Sequence, residues 1–173
     1  MYDDLVSAEE RRRQSGNAFL LAQLGAHAAA RFAERISGLD LTPAQAGLLR
    51  LIDRGPGQSQ QAVAAALRIP PSRLVPLVDG LEARGLIERR RNPADRRNHA
   101  LYLTEEGARF MKDELRRAGT AHEDDICAGL SDAERKQLNE LLTRLADRQG
   151  LTAGVHPGYQ RIGAKASLTH RCP

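Results

Sequence analysis

The chain has 173 residues, of which 41% are apolar, 28% charged and 3% aromatic, and it carries a net charge of +4. That length supports one domain, and the scarcity of aromatics means a core built from Leu, Ala, Val and Ile. No run approaches ~20 apolar residues, so a membrane span is not expected. The opening MYDDLVSAEERRR lacks the apolar centre of a secretory signal. Cys127 and Cys172 are far apart and show no zinc-like spacing, which points to a reduced, cytoplasmic protein without a structural metal or cofactor.

A first helix is expected over Asn17 to Leu39, where Leu21, Leu24, Ala28, Phe32 and Ile36 recur every three or four residues. A stripe of this length packs either on a partner subunit or within its own chain. Thr42-Pro43-Ala44-Gln45 combines an N-cap, a first-position Pro and a third-position Gln, and starts a second helix that Gly55-Pro56-Gly57 ends. Ser59 caps a short, Ala-rich third helix from Gln60 to Leu67. A fourth helix carries Leu74, Leu77, Val78 and Leu81 on its inner face and stops at Gly85. Pro76 argues for Ser72 as its N-cap, because the missing N–H then costs only the first intrahelical bond.

Gly85 to Thr104, GLIERRRNPADRRNHALYLT, reads as a β-hairpin. Two short apolar strands, Leu86-Ile87 and Leu101-Tyr102-Leu103, flank a long loop containing Asn92, Pro93 and Asp95. Arg89, Arg90 and Arg91 lead into the loop, and Arg96 and Arg97 sit at its tip. The basic residues of the chain concentrate between Arg84 and Arg97. Guanidinium groups on a hairpin suit phosphates and narrow minor grooves; a solvated charged loop is the plainer alternative.

Thr104 caps a fifth helix, with Glu105 and Glu106 in its first turn, that runs towards Ile126. Ser131-Asp132-Ala133-Glu134 is a capping box for a sixth, with Leu138, Leu141, Leu142 and Leu145 on one face. Residues 151–173 are rich in Gly and Pro and read as a flexible tail or a surface arm. The order predicts a mainly α fold with a small two-stranded antiparallel wing. Residues 42–104 form a winged helix-turn-helix, and segments 15–39 and 105–148 flank it within a unit spanning 1–150.

The run Ser72-Arg73-Leu74-Val75 … Val78-Asp79 … Leu81-Glu82-Ala83-Arg84-Gly85-Leu86-Ile87-Glu88-Arg89, followed by Asn92-Pro93 … Asp95-Arg96-Arg97, resembles the recognition helix and wing of the MarR family of transcriptional regulators. Leu41-Thr42 … Gln45 and Gly55-Pro56 are similar to that family's second helix and following loop. The likeness covers roughly residues 15–148.

It implies a homodimer joined through the first, fifth and sixth helices, acting on double-stranded operator DNA, more as a repressor than as an activator. By that resemblance Arg97 enters the minor groove with Asp95 holding it or a neighbour, Arg96 and Arg90 accompany it, and Ser72, Arg73 and Pro76 face the major groove. Ser59 and Gln60 meet phosphate. The family's small anionic or phenolic effectors offer His27 and Arg31 as ligand contacts, beside the plainer reading of a partly exposed helix surface.

Pro76 departs from the polar or small residue common in relatives. Cys127 reads as an inert thiol rather than a redox sensor, and His99 and His122 as surface residues. His156, His170 and Cys172 fit no metal site well. No Walker loop, nucleophile elbow or zinc-protease motif is present, so an enzyme is not expected. The rival class is a winged-helix module that binds protein without specific DNA binding.

Overall fold

The computed structural model describes residues 16–92, 95–152 and 154–155, and at residues 92 and 95–98 the backbone alone. Helix α1 spans Asn17–Ser37, α2 Pro43–Arg54, α3 Gln60–Leu67 and α4 Pro71–Ala83. After the hairpin, α5 (Glu105–Phe110) passes through a π turn (Met111–Leu115) into α6 (Arg116–Ile126), and α7 spans Asp132–Arg148. Most of the tail, with His156, His170 and Cys172, lies outside the described residues.

Local capping fixes most of these boundaries. Thr42 accepts from the Gln45 N–H, while the Gln45 side chain accepts from the Thr42 N–H in return, and Ser131 and Glu134 repeat the device at α7. Ser59 and Thr104 accept from the N–H groups of Ala62 and Gly107. Removing such a cap costs about 1 kcal/mol.

Helix α4 begins earlier than its sequence indicates. Pro70 is the N-cap and Pro71 the first helical residue. Proline's fixed φ and missing N–H suit that first position, so the Pro-Pro pair opens the helix instead of preceding it. Pro76 therefore falls in the second turn, within an established helix, where it deletes the bond to the Ser72 carbonyl.

The hairpin is also longer and less loop-like than expected. Strand β2 covers Ile87–Asn92 and β3 Asp95–Leu103, with Ile87 opposite Leu103 and Asn92 opposite Asp95. The backbones of Arg96 and Arg97 thus belong to a strand, because ladder hydrogen bonds form whether or not the side chains are apolar. A third strand, β1 (Gln58–Ser59), pairs antiparallel with β3 at Leu101 and Ala100, giving the order β1-β3-β2. Two residues are too few to show a period, so β1 left no trace in the sequence.

The core lies where α2, α3 and α4 meet the sheet. Leu48, Leu49, Val63, Leu74, Val78, Leu81, Ile87 and Leu101 are fully buried there, joined by Ile36 from the end of α1 and Leu115 from the π turn. Each large side chain contributes about 1.5–3 kcal/mol by leaving water. Gly85, at φ +69°, turns the chain from α4 into β2. Gly107 lets α5 cross directly over the hairpin base: a Cβ there would meet the Leu86 carbonyl oxygen at 1.9 Å.

Helices α6 and α7 differ from the rest. Neither has a fully buried residue in the described chain, although α6 packs Ala118 and His122 against its neighbours. Leu138, Leu141, Leu142 and Leu145 are all exposed on α7, as are Phe19, Leu21 and Leu24 on the first half of α1.

Candidate nucleic-acid interface and adjoining cavity

The outer face of α4 and the hairpin beside it carry the residues singled out by sequence. On α4, Leu74, Val78 and Leu81 point into the core, leaving Ser72, Val75, Pro76 and Asp79 exposed at helical spacing. Arg73 is half-buried. The Ser59 hydroxyl is occupied as a cap, and the Gln60 amide Nε2 is buried without a hydrogen-bond partner among the described residues. The side chains of Asp95, Arg96 and Arg97 lie outside the described residues.

The arginines of the Arg84–Arg97 cluster do separate things. Arg84 turns inward: its Nη1 donates to the Asp40 carbonyl at 2.6 Å and its Nη2 to the Leu39 carbonyl at 3.0 Å, with the guanidinium over the Phe110 ring. It ties the end of α4 to the turn after α1. Arg89 bridges β2 to α4 through the carboxylates of Asp79 and Glu82. That bridge fixes the wing against α4 and neutralises the two acids α4 would otherwise bring towards a polyanion. Arg90 stays outside, donating to Glu88 and resting 4.6 Å above the Tyr102 ring. The Glu88 contact raises its already high pKa, so it is a fixed cation. Composition could not separate these roles, since all three are arginines within seven positions.

A cavity of about 590 Å³ lies between α1, α2 and the α5–α6 segment. Phe32, Met111 and Leu115 give it apolar walls, and Arg50, Arg54, Lys112 and Arg116 surround them with cations, opposed by Asp53, Glu123 and Asp124. Three of its lining residues come from the π turn, a device often found at functional sites. His27 and Arg31 are not among the lining residues. His27 is exposed, and Arg31 is held by Glu34 at 3.1 Å and Asp125 at 3.2 Å.

His122 lines the cavity as well, which corrects its reading as a surface residue. Its ring packs 5.3 Å from Phe32, and its Nδ1 is buried without a partner among the described residues. The α1–α6 contact that covers it joins positions 90 apart, beyond any local pattern. Burial holds the imidazole below its usual pKa of 6.5, and the Arg35 guanidinium adds to the shift against Asp125 and Glu123. The unfolded chain therefore takes up this proton at a higher pH than the folded one. Stability from this group is complete above pH 6.5 and falls as the pH drops through 6.5 towards the folded value. Thermal melts between pH 7.5 and 5.5 should show that decline, and His122→Gln should reduce it. An equal decline in both proteins would contradict the assignment.

Cys127 is buried, its thiol 3.4 Å from a Glu123 carboxylate oxygen, and burial raises its pKa. A thiol kept protonated in this way suits the inert reading. Among the described residues no helix is long and apolar enough to cross a membrane, and no His, Cys, Asp and Glu cluster could hold a metal.

The family model described as MarR family matches residues 39–98, which include α2, α3, α4 and most of the hairpin. A Thauera aromatica protein named as a transcriptional regulatory protein for the hcr operon is 40% identical over 105 residues, 61% of this chain. The matched region spans 63% of that relative's length. A solved structure of the transcriptional repressor CouR bound to a 23-mer DNA duplex is 34% identical with a TM-score of 0.63, covering 76% of this chain and 92% of that one. A mutant of Escherichia coli MarR complexed with operator DNA is 25% identical with a TM-score of 0.62, covering 73% of this chain and 90% of that one. The likeness to the two DNA-bound structures covers 76% and 73% of this chain, beyond the residues 39–98 of the family model, and the chain belongs to the MarR family of winged helix-turn-helix transcriptional regulators.

Proposed function

We propose that the protein is a sequence-specific DNA-binding regulator that acts as a homodimer on a pseudo-palindromic operator, most simply as a repressor. The observation that carries this reading is the exposed outer face of α4 set beside a hairpin rich in arginine. In this reading α4 enters the major groove, and the hairpin, with Arg90, Arg96 and Arg97, meets the backbone and minor groove. The DNA complexes of CouR and Escherichia coli MarR support the same assignment. The dimer rests on α7, none of whose residues is fully buried in its own chain, and on the exposed leucines of α1 and α7. Apolar helices of this kind need a partner surface.

The effector reading belongs to the cavity. Its apolar walls ringed by Arg50, Arg54, Lys112 and Arg116 suit a small anionic or phenolic molecule. The π turn and α1 border it, so an occupant there would bear on the joint between the dimer frame and the reading head. This connects ligand to DNA affinity through differential binding to two arrangements of that joint.

The test is selection of duplexes from a random pool by the full chain, followed by titration of the enriched duplex and a scrambled one at several salt concentrations. A regulator binds the enriched duplex far more tightly, with an affinity that falls steeply with salt. A protein-interaction module enriches no sequence.

A further inference from the structure

Helix α4 is chemically unusual for a helix meant to read bases, and this bears on which bases it reads. Between Pro71 and Ala83 there is no Asn, Gln or Lys, and the helix's side-chain hydrogen-bond donors, Ser72 and the half-buried Arg73, both lie in the first turn. Its exposed acid, Asp79, is engaged by Arg89. What remains in the centre of the outward face is Val75, 41% exposed, with Pro76 beside it and Ser72 one turn earlier. Pro76 has no N–H and destabilises a helix interior. It is exposed, so no core packing offsets that cost. An apolar pair held outward in this way can make no hydrogen bond to a base edge. The major groove offers such a pair one group that distinguishes bases, the C5 methyl of thymine.

We infer that Val75 and Pro76 read thymine methyl groups in the major groove, so that each operator half-site carries a thymine under the middle of α4. The inference rests on the DNA-binding reading above. The hairpin arginines supply the attraction to the duplex, and the apolar pair supplies discrimination at the base pair it covers.

Deoxyuridine tests this directly, because it lacks only the methyl and leaves the minor-groove edge unchanged. Duplexes are first enriched from a random pool on the full chain, and the enriched duplex is then remade with deoxyuridine at each thymine in turn. One thymine per half-site should weaken binding about fourfold when its methyl is lost, and both together about fifteenfold. Val75→Ser or Pro76→Ser, both surface changes, should bind the thymine duplex more weakly and lose the dependence on the methyl. Enrichment of a sequence in which no deoxyuridine position costs affinity would overturn the inference while leaving the regulator reading intact. So would retention of the full methyl dependence by both variants. Failure to enrich any duplex would overturn the regulator reading, and the inference with it.

Discussion

Replacing Leu141 and Leu142 together with Asp is expected to give a folded monomer that no longer binds operator DNA tightly. Both leucines are exposed on α7, and that helix buries none of its residues in its own chain. In the proposed dimer its apolar face has its partner in a second copy. An interface covering the exposed parts of Leu141 (41%) and Leu142 (39%) is worth about 1–2.5 kcal/mol per protomer, and the new carboxylates would resist desolvation. The winged unit keeps its own core, with Leu48, Leu74, Val78 and Leu101 fully buried, so helical circular dichroism should persist. Sedimentation should shift from dimer to monomer, and DNA affinity should fall because two linked half-site contacts become one. A variant that stays dimeric, or a monomer that binds operator as wild type does, would contradict the dimer.

Arg97→Ala should weaken operator binding by about 1–3 kcal/mol, the range of a good arginine–base contact. The loss should be greatest where the flanks are A·T-rich, since a narrow minor groove concentrates negative potential. Arg90→Ala should behave differently. Its guanidinium lies on the outer face of the hairpin, held by Glu88 and Tyr102. Loss of a phosphate contact there would weaken binding to all duplexes alike and reduce the salt slope by about 1. Titrating both variants against operator and scrambled duplexes separates the two roles. If Arg97→Ala binds both duplexes as wild type does, the wing is not a reading element.

What the sequence discloses and what it hides divide by range. The caps at Thr42, Ser59, Thr104 and Ser131 act within three residues of themselves, so the starts of four helices are legible without a structure. The start of α4 is not, because two rules compete there: Ser72 is a good N-cap, and Pro71 is a good first helical residue. The Pro-Pro pair prevails. The π turn at Met111–Leu115 replaces one hydrogen-bonding pattern with another and leaves the apolar spacing almost unchanged. The strand-like wing follows from backbone pairing, to which polar side chains give little clue.

The candidate site divides in the same way. Ser72, Val75, Pro76 and Asp79 share a face by spacing alone, and the structure exposes that face. The roles of Arg84 and Arg89 depend on Leu39, Asp40, Asp79 and Glu82, which only the fold brings to them. A density of arginines is a sound pointer to a polyanion, yet two of the cluster hold the reading head together instead. The cavity was displaced from its expected neighbours for a similar reason. His27 and Arg31 are near one another on α1, but the concave surface forms where Phe32 and His122 meet across two helices.

Hydroxyl-radical footprinting of the full chain on its enriched duplex tests the central claim most directly, because it reads helix placement, wing placement and symmetry in one experiment. The account predicts two protected half-sites related by a two-fold axis, with centres about 10–10.5 base pairs apart, and minor-groove protection flanking them from the wings. Protection of a single half-site per dimer, or of the half-sites without their flanks, would contradict it.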